Sequence, residues 1–369
     1  MEENATEMSV TVHKYIIEDR VDLKGCTTIF LGRASDTGDI VAIKARDRST
    51  KHKQMQTEAE VYQKIQGDVG IPCMKWFGTH GDESVLVLEY IGSTLEQLYN
   101  IFSRSFSLKT ILMLADQILT RITYIHSRNF LHCNIAPDNF VIDADELTSI
   151  ICLIDFGLAK KYRDERTFEH IPCTIKENEE IDIGTADYAS INTHMGVAQS
   201  RRDDLEAVGY LLVYLCLGSL PWQGIKASDN REKCKLMAEK KFSTTTKSLC
   251  QGLPNEFVTY LDYCRQLRFD EVPNYLYLRA LFRSLLNNNG FINDNEFDWN
   301  SPSDCPKSQD EVEMEEMEIK VQYEEGSTQL ASDEVDSSDQ TMMDTDAIPV
   351  NEDNDTESDS YNESMTETY

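Results

Sequence analysis

The stretch Leu131-His132-Cys133-Asn134-Ile135-Ala136-Pro137-Asp138-Asn139 decides how this chain folds. Val41-Ala42-Ile43-Lys44 precedes it, and Asp155-Phe156-Gly157 begins sixteen residues after Asn139. The amide of Asn139 and the carboxylate of Asp155 offer oxygen ligands of the kind that Mg²⁺ binds, and a strand lysine can pair with phosphate. Taken singly these are ordinary residue types, so the order and spacing of the three stretches along the chain carry the argument.

Length and charge limit the possible classes of function. With 369 residues and 40% hydrophobic content, the chain can form one large or two smaller domains with a substantial core. Residues 301–369 contain 22 acidic and two basic residues, so they carry about −20 of the net charge of −30. Residues 1–300 keep about −10. Such a chain should not bind nucleic acid or an anionic membrane through bulk charge.

The cysteines and the apolar runs predict the compartment. The ten cysteines show neither a CxxC pair nor metal-ligand spacing with histidine, and the acidic start lacks an apolar signal core. The longest apolar run, 210–217, is too short to span a bilayer. We expect a reduced, soluble, intracellular protein, cytoplasmic or nuclear or both, whose free thiols pack as small apolar residues.

Local patterns predict strands first and helices afterwards. Short strands are favoured up to Glu89, including the β-rich run 40–43. Residues 53–66 lack Pro and Gly, and helices dominate after Thr94, with 108–125 amphipathic and 204–217 apolar nearly all round. This order predicts an α+β fold with a small β-rich lobe and a larger helical lobe.

The composition changes abruptly after Trp299. Acidic residues, Ser and Thr follow without periodicity, and such a segment cannot bury enough apolar surface to offset chain entropy. We expect a disordered lead over 1–11, one folded domain over 12–300 and a disordered acidic tail over 301–369.

In this order the three stretches resemble the skeleton of a protein kinase. The catalytic-loop pattern of kinases has His-Arg-Asp, four residues and then Asn. Here the position of the aspartate that accepts the substrate hydroxyl's proton is occupied by Asn134. An amide is not a base at physiological pH, so kinase chemistry is in doubt although the kinase fold is predicted.

Further stretches resemble the casein kinase 1 family of Ser/Thr kinases over about residues 14–300. The Ser190-Ile191-Asn192 triplet, where most kinases have Ala-Pro-Glu, is typical of that family. The other stretches are Gly70-Ile71-Pro72, Leu158-Ala159-Lys160-Lys161-Tyr162-Arg163, Ser200-Arg201-Arg202-Asp203-Asp204-Leu205-Glu206, Gly218-Ser219-Leu220-Pro221-Trp222-Gln223-Gly224 and Phe297-Asp298-Trp299-Asn300.

The resemblance implies a role for each matching residue. Lys44 and Glu58 would hold the ATP phosphates and couple a helix to the site, and Asn139 and Asp155 would hold Mg²⁺. The remaining assignments are Ile29 and Ala42 as the roof of the nucleotide cleft, Leu88 as gatekeeper, Glu89 and Ile91 in the hinge, Asp187, Gly224 and Lys233 as a substrate subsite, and His132, Phe156, Asp204 and Arg268 as structural residues.

The chain departs from the family where phosphate and substrate bind. Asp22, Lys24 and Thr27 replace the three glycines of the GxGxxG loop, whose backbone must approach the phosphates closely. We therefore expect weak or absent binding of ATP and Mg²⁺, while the apolar adenine pocket survives. Ala136 replaces a lysine that contacts the transferred phosphate, and Asp187 replaces an arginine that helps to hold a phosphorylated or acidic substrate residue.

Two functions stay open. The first is a casein kinase 1-like pseudokinase, an interaction or regulatory module that binds a protein partner. The second is a weak or atypical Ser/Thr kinase in signal transduction, because phosphoryl transfer has a loose transition state in which positioning and metal ions matter more than base strength. A structural protein defined by its acidic tail has less support, because the folded domain is too intact.

The tail resembles a substrate of active casein kinase 1 relatives, which favour an acidic or phosphorylated residue three positions before the target. Four tail hydroxyls have such a residue: Ser337, Ser358, Ser360 and Thr366, with Glu334, Asp355, Glu357 and Glu363. The tail could fold back onto an exposed basic surface around Arg201, Arg202 and Lys233, or it could merely keep the protein soluble.

Overall fold

The computed structural model describes residues 11–24, 27–142, 149–175 and 183–300. Residues 1–10 of the predicted lead and the predicted acidic tail, 301–369, lie outside the described residues, whereas Thr11, the last residue of the predicted lead, begins a β-strand. The domain that we describe is α+β, with a β-rich N-terminal part and a helical C-terminal part, as the sequence predicts.

A six-stranded antiparallel sheet forms the N-terminal part, with strand order β1-β2-β3-β4-β6-β5. Its strands are β1 (Thr11–Val12), β2 (Tyr15–Lys24), β3 (Thr27–Ala34), β4 (Ile40–Asp47), β5 (Met74–His80) and β6 (Glu83–Glu89). Alternation along β4 buries Val41, Ile43 and Ala45 on one face. Lys44 therefore points to the opposite face, towards the cleft that is described below.

Helix α1 (Arg48–Ile65) connects β4 to β5 and packs on the sheet. The four apolar residues at helical spacing, Met55, Ala59, Tyr62 and Ile65, are each at most 1% exposed, so the predicted helix is confirmed. Glu58 shares this inward face and is also buried. The face that anchors α1 thereby carries a carboxylate into the site.

Helices dominate the C-terminal part. The described helices are α2 (Leu95–Ile101), α3 (Leu108–Ser127), α4 (Ile191–His194), α5 (Arg201–Leu217), α6 (Asn230–Ser243), α7 (Thr246–Leu249), α8 (Asn255–Gln266) and α9 (Tyr275–Asn288). Short strands β7 (Phe130–Leu131), β8 (Phe140–Ile142), β9 (Ile151–Leu153) and β10 (Lys160–Lys161) pair as β7 with β10 and β8 with β9. Helix α5 is buried along almost its whole length, as its apolar composition predicts.

The Phe297-Asp298-Trp299-Asn300 stretch closes the domain against the start of α3. Asp298 accepts hydrogen bonds from the backbone N–H (2.6 Å) and the hydroxyl (2.7 Å) of Ser107, the N-cap residue of α3. Trp299 stacks on Phe297 and meets Phe106 edge-on. The side-chain oxygen of Ser107 also caps the Thr110 N–H, so this C-terminal stretch fixes the helix N-terminus.

All eight cysteines within the described residues are free. No described helix has the length and apolar character needed to cross a membrane.

Candidate functional site

Lys44 lies at the centre of a cluster with two carboxylates. Its Nζ is 2.7 Å from Glu58 Oε2 and 2.7 Å from Asp155 Oδ1. Burial by itself would lower the pKa of Lys44, but the carboxylates of Asp155 and Glu58 outweigh it, and the lysine pKa is raised. Lys44 is therefore a fixed cation that joins β4, α1 and the segment after β9.

Phe156 packs against residues that neighbour this cluster. Its fully buried ring meets Tyr62 of α1 edge-on at a centroid distance of 5.0 Å, and His132 at 5.1 Å. His132 Nε2 is 3.0 Å from the carbonyl oxygen of Ile154. The aromatic contacts thus connect helix α1, Asp155 and the loop that contains Asn134 through one packed column.

Asp204, at the N-terminus of α5, holds that loop in place. Its carboxylate accepts the backbone N–H groups of His132 (2.8 Å) and Cys133 (2.9 Å), and it lies 2.9 Å from His126 Nε2. Burial opposes ionisation, but the hydrogen bond and charge of His126 and the loop contacts lower the pKa of Asp204. Asp204 therefore fixes the backbone of this loop.

The amide oxygen of Asn134 accepts hydrogen bonds from the segment that follows residue 183. Oδ1 accepts the Thr185 backbone N–H at 2.8 Å and the Thr185 hydroxyl at 3.0 Å. A Cβ atom on Gly184 would lie 2.6 Å from this oxygen, and Gly184 has a φ of +70°, so glycine suits the close approach. Because an amide oxygen has two lone pairs, Thr185 occupies the whole acceptor capacity of Asn134.

The two neighbouring replacements in the loop are directed into the interior. Cys133 is 5% exposed and packs with Leu131 and Tyr162, and burial raises the pKa of its thiol well above the usual range. Ala136 is fully buried in the main core. Neither residue presents a charged group to a ligand, so the cations of the family pattern have no substitute at these two positions.

A cavity of about 250 Å³ opens between the sheet and the helical part. Every residue predicted for nucleotide binding lines it: Ile29, Ala42, Lys44, Glu58, Glu89, Ile91, Asn139 and Asp155, together with the predicted gatekeeper Leu88. The structure therefore brings the predicted set together around one cleft. Their roles in binding stay predictions.

The donor set for Mg²⁺ fits, whereas the described part of the phosphate cradle does not. The Nδ2 group of Asn139 donates to the Asn134 carbonyl at 2.8 Å, which leaves its Oδ1 as an oxygen ligand beside Asp155. A phosphate cradle needs glycine at this position, so that the backbone can approach the phosphates closely. Thr27 has a side chain there instead, and this residue is 2% exposed. The side chains of Asp22 and Lys24 lie outside the described residues.

The sequence gives no signal for one contact at the roof of the cavity. Arg46, two residues after Lys44 on β4, donates from Nε to Thr27 Oγ1 at 2.6 Å and from Nη1 to Gln54 Oε1 of α1 at 2.9 Å. Alternation along a strand places residues i and i+2 on the same face, so Arg46 enters the cavity beside Lys44. The Thr27 side chain is thereby bonded to β4 and, through Arg46, to α1.

The predicted substrate subsite is only partly assembled. Asp187 and Gly224 lie beside one turn, because the Trp222 Nε1–H donates to the Asp187 carbonyl at 2.7 Å and Gln223 Nε2 lies 3.5 Å from Asp187 Oδ2. Lys233 is exposed on α6, and no ion pair within the described part joins it to Asp187. The carboxylate of Asp187 gives this surface a negative charge.

Two predictions about arginines are wrong. Arg268 was expected to anchor the helical part, but its side chain is 79% exposed and meets Glu271 only at 3.9 Å. Arg265 makes the internal contact, with Nη2 2.9 Å from the Tyr210 hydroxyl and Nε 3.7 Å from Glu206. Arg201, expected on a basic surface, is 5% exposed, with its guanidinium over the Tyr162 ring.

Comparison with protein families agrees with this geometry. A model of the protein kinase domain matches residues 25–269, which is more than half of the chain. The chain belongs to the protein kinase family. The match spans Lys44, the Asn134 loop, Asp155 and α5, so the cavity corresponds to the site at which kinase domains in general bind ATP and Mg²⁺.

Proposed function

We propose that the chain is a casein kinase 1-like pseudokinase that acts as an intracellular protein-interaction or regulatory module. One observation carries the proposal: both lone pairs of the Asn134 amide oxygen are used by Thr185. The group that remains for a substrate hydroxyl is the Nδ2 amide, which is a donor. A donor cannot remove the hydroxyl proton, so general-base assistance is lost.

Further residues around the cleft support the same conclusion. Ala136 has no charged group for the transferred phosphate, and the Thr27 side chain stands at the position of a cradle glycine. Each lost catalytic group typically costs ~10²-fold or more, and the losses are independent of one another. The proposal therefore does not depend on Asn134 alone.

The alternative is a low-activity ATP-dependent Ser/Thr kinase. The complete Lys44, Glu58 and Asp155 cluster favours it, because these residues position Mg-ATP in active kinases. In a loose transition state Asn134 could still orient the hydroxyl through its amide. Rates would then be low but would depend on Asp155.

For partners, we propose a protein and neither nucleic acid nor membrane, in the cytoplasm, the nucleus or both. The net charge of about −10 over residues 1–300 supports the exclusion of nucleic acid and anionic lipid. The negative Asp187 at the substrate surface favours a partner that does not present a phosphorylated residue there. The acidic tail is proposed as a substrate of active casein kinase 1 relatives.

Phosphotransfer to an acidic, casein-like peptide tests the proposal. We expect the wild-type rate to be at least ~10²-fold below that of an active relative. Asn134→Asp should not restore full activity, because Thr27, Ala136 and Asp187 remain. The matched control is Asp155→Asn, since activity that survives this change comes from a contaminating kinase. Rates near those of active relatives would refute the pseudokinase proposal.

Nucleotide binding is a separate test. Calorimetry with adenosine and with Mg-ATP should give weak or absent Mg-ATP binding, and adenosine should bind at least as well, because the apolar pocket survives while the cradle does not. A thermal-shift titration checks the result, since a ligand that binds only the native state raises its Tm. Micromolar affinity for Mg-ATP would contradict the expectation.

A further inference from the structure

Lys241 is a fully buried lysine, and its hydrogen-bond partners within the described residues include no acidic side chain. It lies near the end of α6 and donates from Nζ to the carbonyls of Ala186 (2.9 Å) and Ala189 (2.6 Å). His194 Nε2 is 3.1 Å from the same nitrogen. We call Lys241, His194 and these two carbonyls the Lys241 cluster.

Hydrogen-bond accounting within the cluster depends on the charge of Lys241. A neutral amine has two N–H donors, one for each carbonyl, and a lone pair that can accept the His194 Nε2–H. The same Nε2–H also faces the Ala186 carbonyl at 3.1 Å. His194 Nδ1, which is buried and has no hydrogen-bond partner in the part of the chain that the structure describes, is then a bare lone pair. Every N–H of the neutral cluster has an acceptor.

When Lys241 is protonated, the unpaired donor is the ring N–H of His194. The third N–H of the ammonium group must donate to His194 Nε2, so the ring proton moves to Nδ1. Among the described residues that atom has no hydrogen-bond partner, and an unpaired buried donor costs more than an unpaired acceptor lone pair. The neutral ring nitrogen Nε2 then also faces the Ala186 carbonyl without a proton between them.

Charged and titratable groups from each packed element act on Lys241. Burial lowers its pKa to about 7; Glu206 of α5, Asp187 and Cys234 oppose this change, and Arg265 of α8 adds to it. The rings of Tyr210 (5.1 Å) and Trp222 (5.0 Å) favour the cation. Burial and the neighbouring Lys241 lower the pKa of His194 to about 3, so its ring stays neutral. The two forms of Lys241 are thus finely balanced.

The cluster supports the backbone of residues 186–189. This segment begins next to Thr185, which is bonded to Asn134, and its Asp187 carbonyl accepts the Trp222 Nε1–H at 2.7 Å. Ser190, directly after it, donates to Asp203 of α5 at 2.6 Å. Lys241 is therefore the positioning residue for the first and last carbonyls of this segment, whose flanking residues Thr185 and Ser190 are bonded to Asn134 and Asp203.

We propose that the Lys241 cluster is a proton-dependent support for residues 186–189, firm when Lys241 is neutral and loosened when Lys241 is protonated. This regulation rests on the proposed function in one respect, that the surface around Asp187 binds the protein partner. Acidification would then weaken partner binding by releasing the backbone that carries Asp187, without any change at the partner's own groups.

Two NMR measurements on the full-length chain test the proposal. With ¹³C-labelled lysine, the Cε signal that disappears in Lys241→Met should titrate near pH 7, whereas exposed lysines titrate above pH ~10. With ¹⁵N-labelled tryptophan, the Trp222 indole signal should move over the same range. Lys240→Met, at the exposed neighbouring residue, is the matched control and should leave both titrations unchanged.

Hydrogen exchange measures how readily the backbone of residues 186–189 opens. After correction for intrinsic rates, the Tyr188 amide, which bonds the Thr185 carbonyl, should exchange about tenfold faster at pH 6 than at pH 8. This difference should vanish in Lys241→Met. A Lys241 signal that titrates above pH 9, or a Trp222 titration that persists in Lys241→Met, would overturn the proposal. Neither result bears on phosphotransfer, so the pseudokinase proposal fails or stands separately.

Discussion

The back and the front of the cleft differ in how many residues of the kinase pattern they keep. At the back, Lys44, Glu58, Asp155 and Phe156 keep the full set of kinase contacts, and Asp204 holds the loop. At the front, the positions to which the kinase resemblance assigns substrate-facing groups carry an amide at Asn134, a fully buried methyl group at Ala136 and a carboxylate at Asp187. Groups at the back bond to one another, so their loss would cost stability, whereas groups at the front bond mainly to ligands.

Asn134 shows how this difference arises within one side chain. Its oxygen bonds Thr185 and belongs to the fold, whereas its Nδ2 is the group that is left for a ligand. A change from carboxylate to amide keeps the first contact and removes the base. The fold can therefore be retained after the reaction is lost.

The largest effect is expected when the back of the cleft loses Asp204. Asp204→Ala should reduce the free energy of unfolding by about 3–5 kcal/mol, because two backbone N–H groups and His126 lose a buried acceptor. Urea denaturation measures it, with the exposed Asp82→Ala as a control that stays within about 0.5 kcal/mol. Equal effects of the two variants would contradict the claim that groups at the back of the cleft contribute to stability.

The contributions of Asp204 and its neighbour Asp203 to stability should depend on pH with opposite signs. Because the pKa of Asp204 is lowered, its contribution is present above its ordinary value of 3.8 and is lost as the pH falls through the lowered value. Burial raises the pKa of Asp203 to about 6, so the folded state holds its proton longer and stability falls as the pH rises from about 4 to 6.

Paired asparagine variants measure these opposite slopes. Asp203→Asn should remove the fall in stability between pH 4 and 6, and Asp204→Asn should flatten the acid limb below pH 4. The readout is the denaturation midpoint at closely spaced pH values. Slopes of the same sign for both residues would contradict the assigned environments.

Asn134 variants should give a smaller effect and a clear order. Asn134→Ala removes the acceptor of two Thr185 hydrogen bonds and should cost about 1–3 kcal/mol. Asn134→Asp keeps those bonds and should stay close to wild type in stability. If Asn134→Ala were neutral, the amide would not be part of the fold, and its main support for the pseudokinase proposal would disappear.

The smallest effects compare two arginines three positions apart. Arg265→Ala should cost about 1–3 kcal/mol, because Tyr210 and the buried Glu206 lose a partner. Arg268→Ala should stay within about 0.5 kcal/mol, because its ion pair with Glu271 is exposed and long. Thermal and urea denaturation of both variants check the corrected position of the anchor.

The sequence by itself determined the fold class and the membership of the cleft. Motif spacing along β4, α1 and the Asn134 loop, together with the kinase resemblance, predicted nine of the residues that line the cavity, whereas Arg46, which also lines it, was not predicted. Membership of the helical core followed in the same way for α1 and α5. These are local properties, so one chain suffices to infer them.

Only the tertiary structure decided which distant groups meet. Asn134 contacts Thr185 across 51 positions, Arg46 bonds Thr27 across 19, and Lys241 reaches Ala186 across 55. The arginine error has the same origin: α8 ends at Gln266, so helix periodicity directs Arg265 towards α5 but says nothing about Arg268 in the following loop. Contacts between elements depend on how those elements pack, and this packing decides whether a retained kinase residue serves chemistry or only the fold.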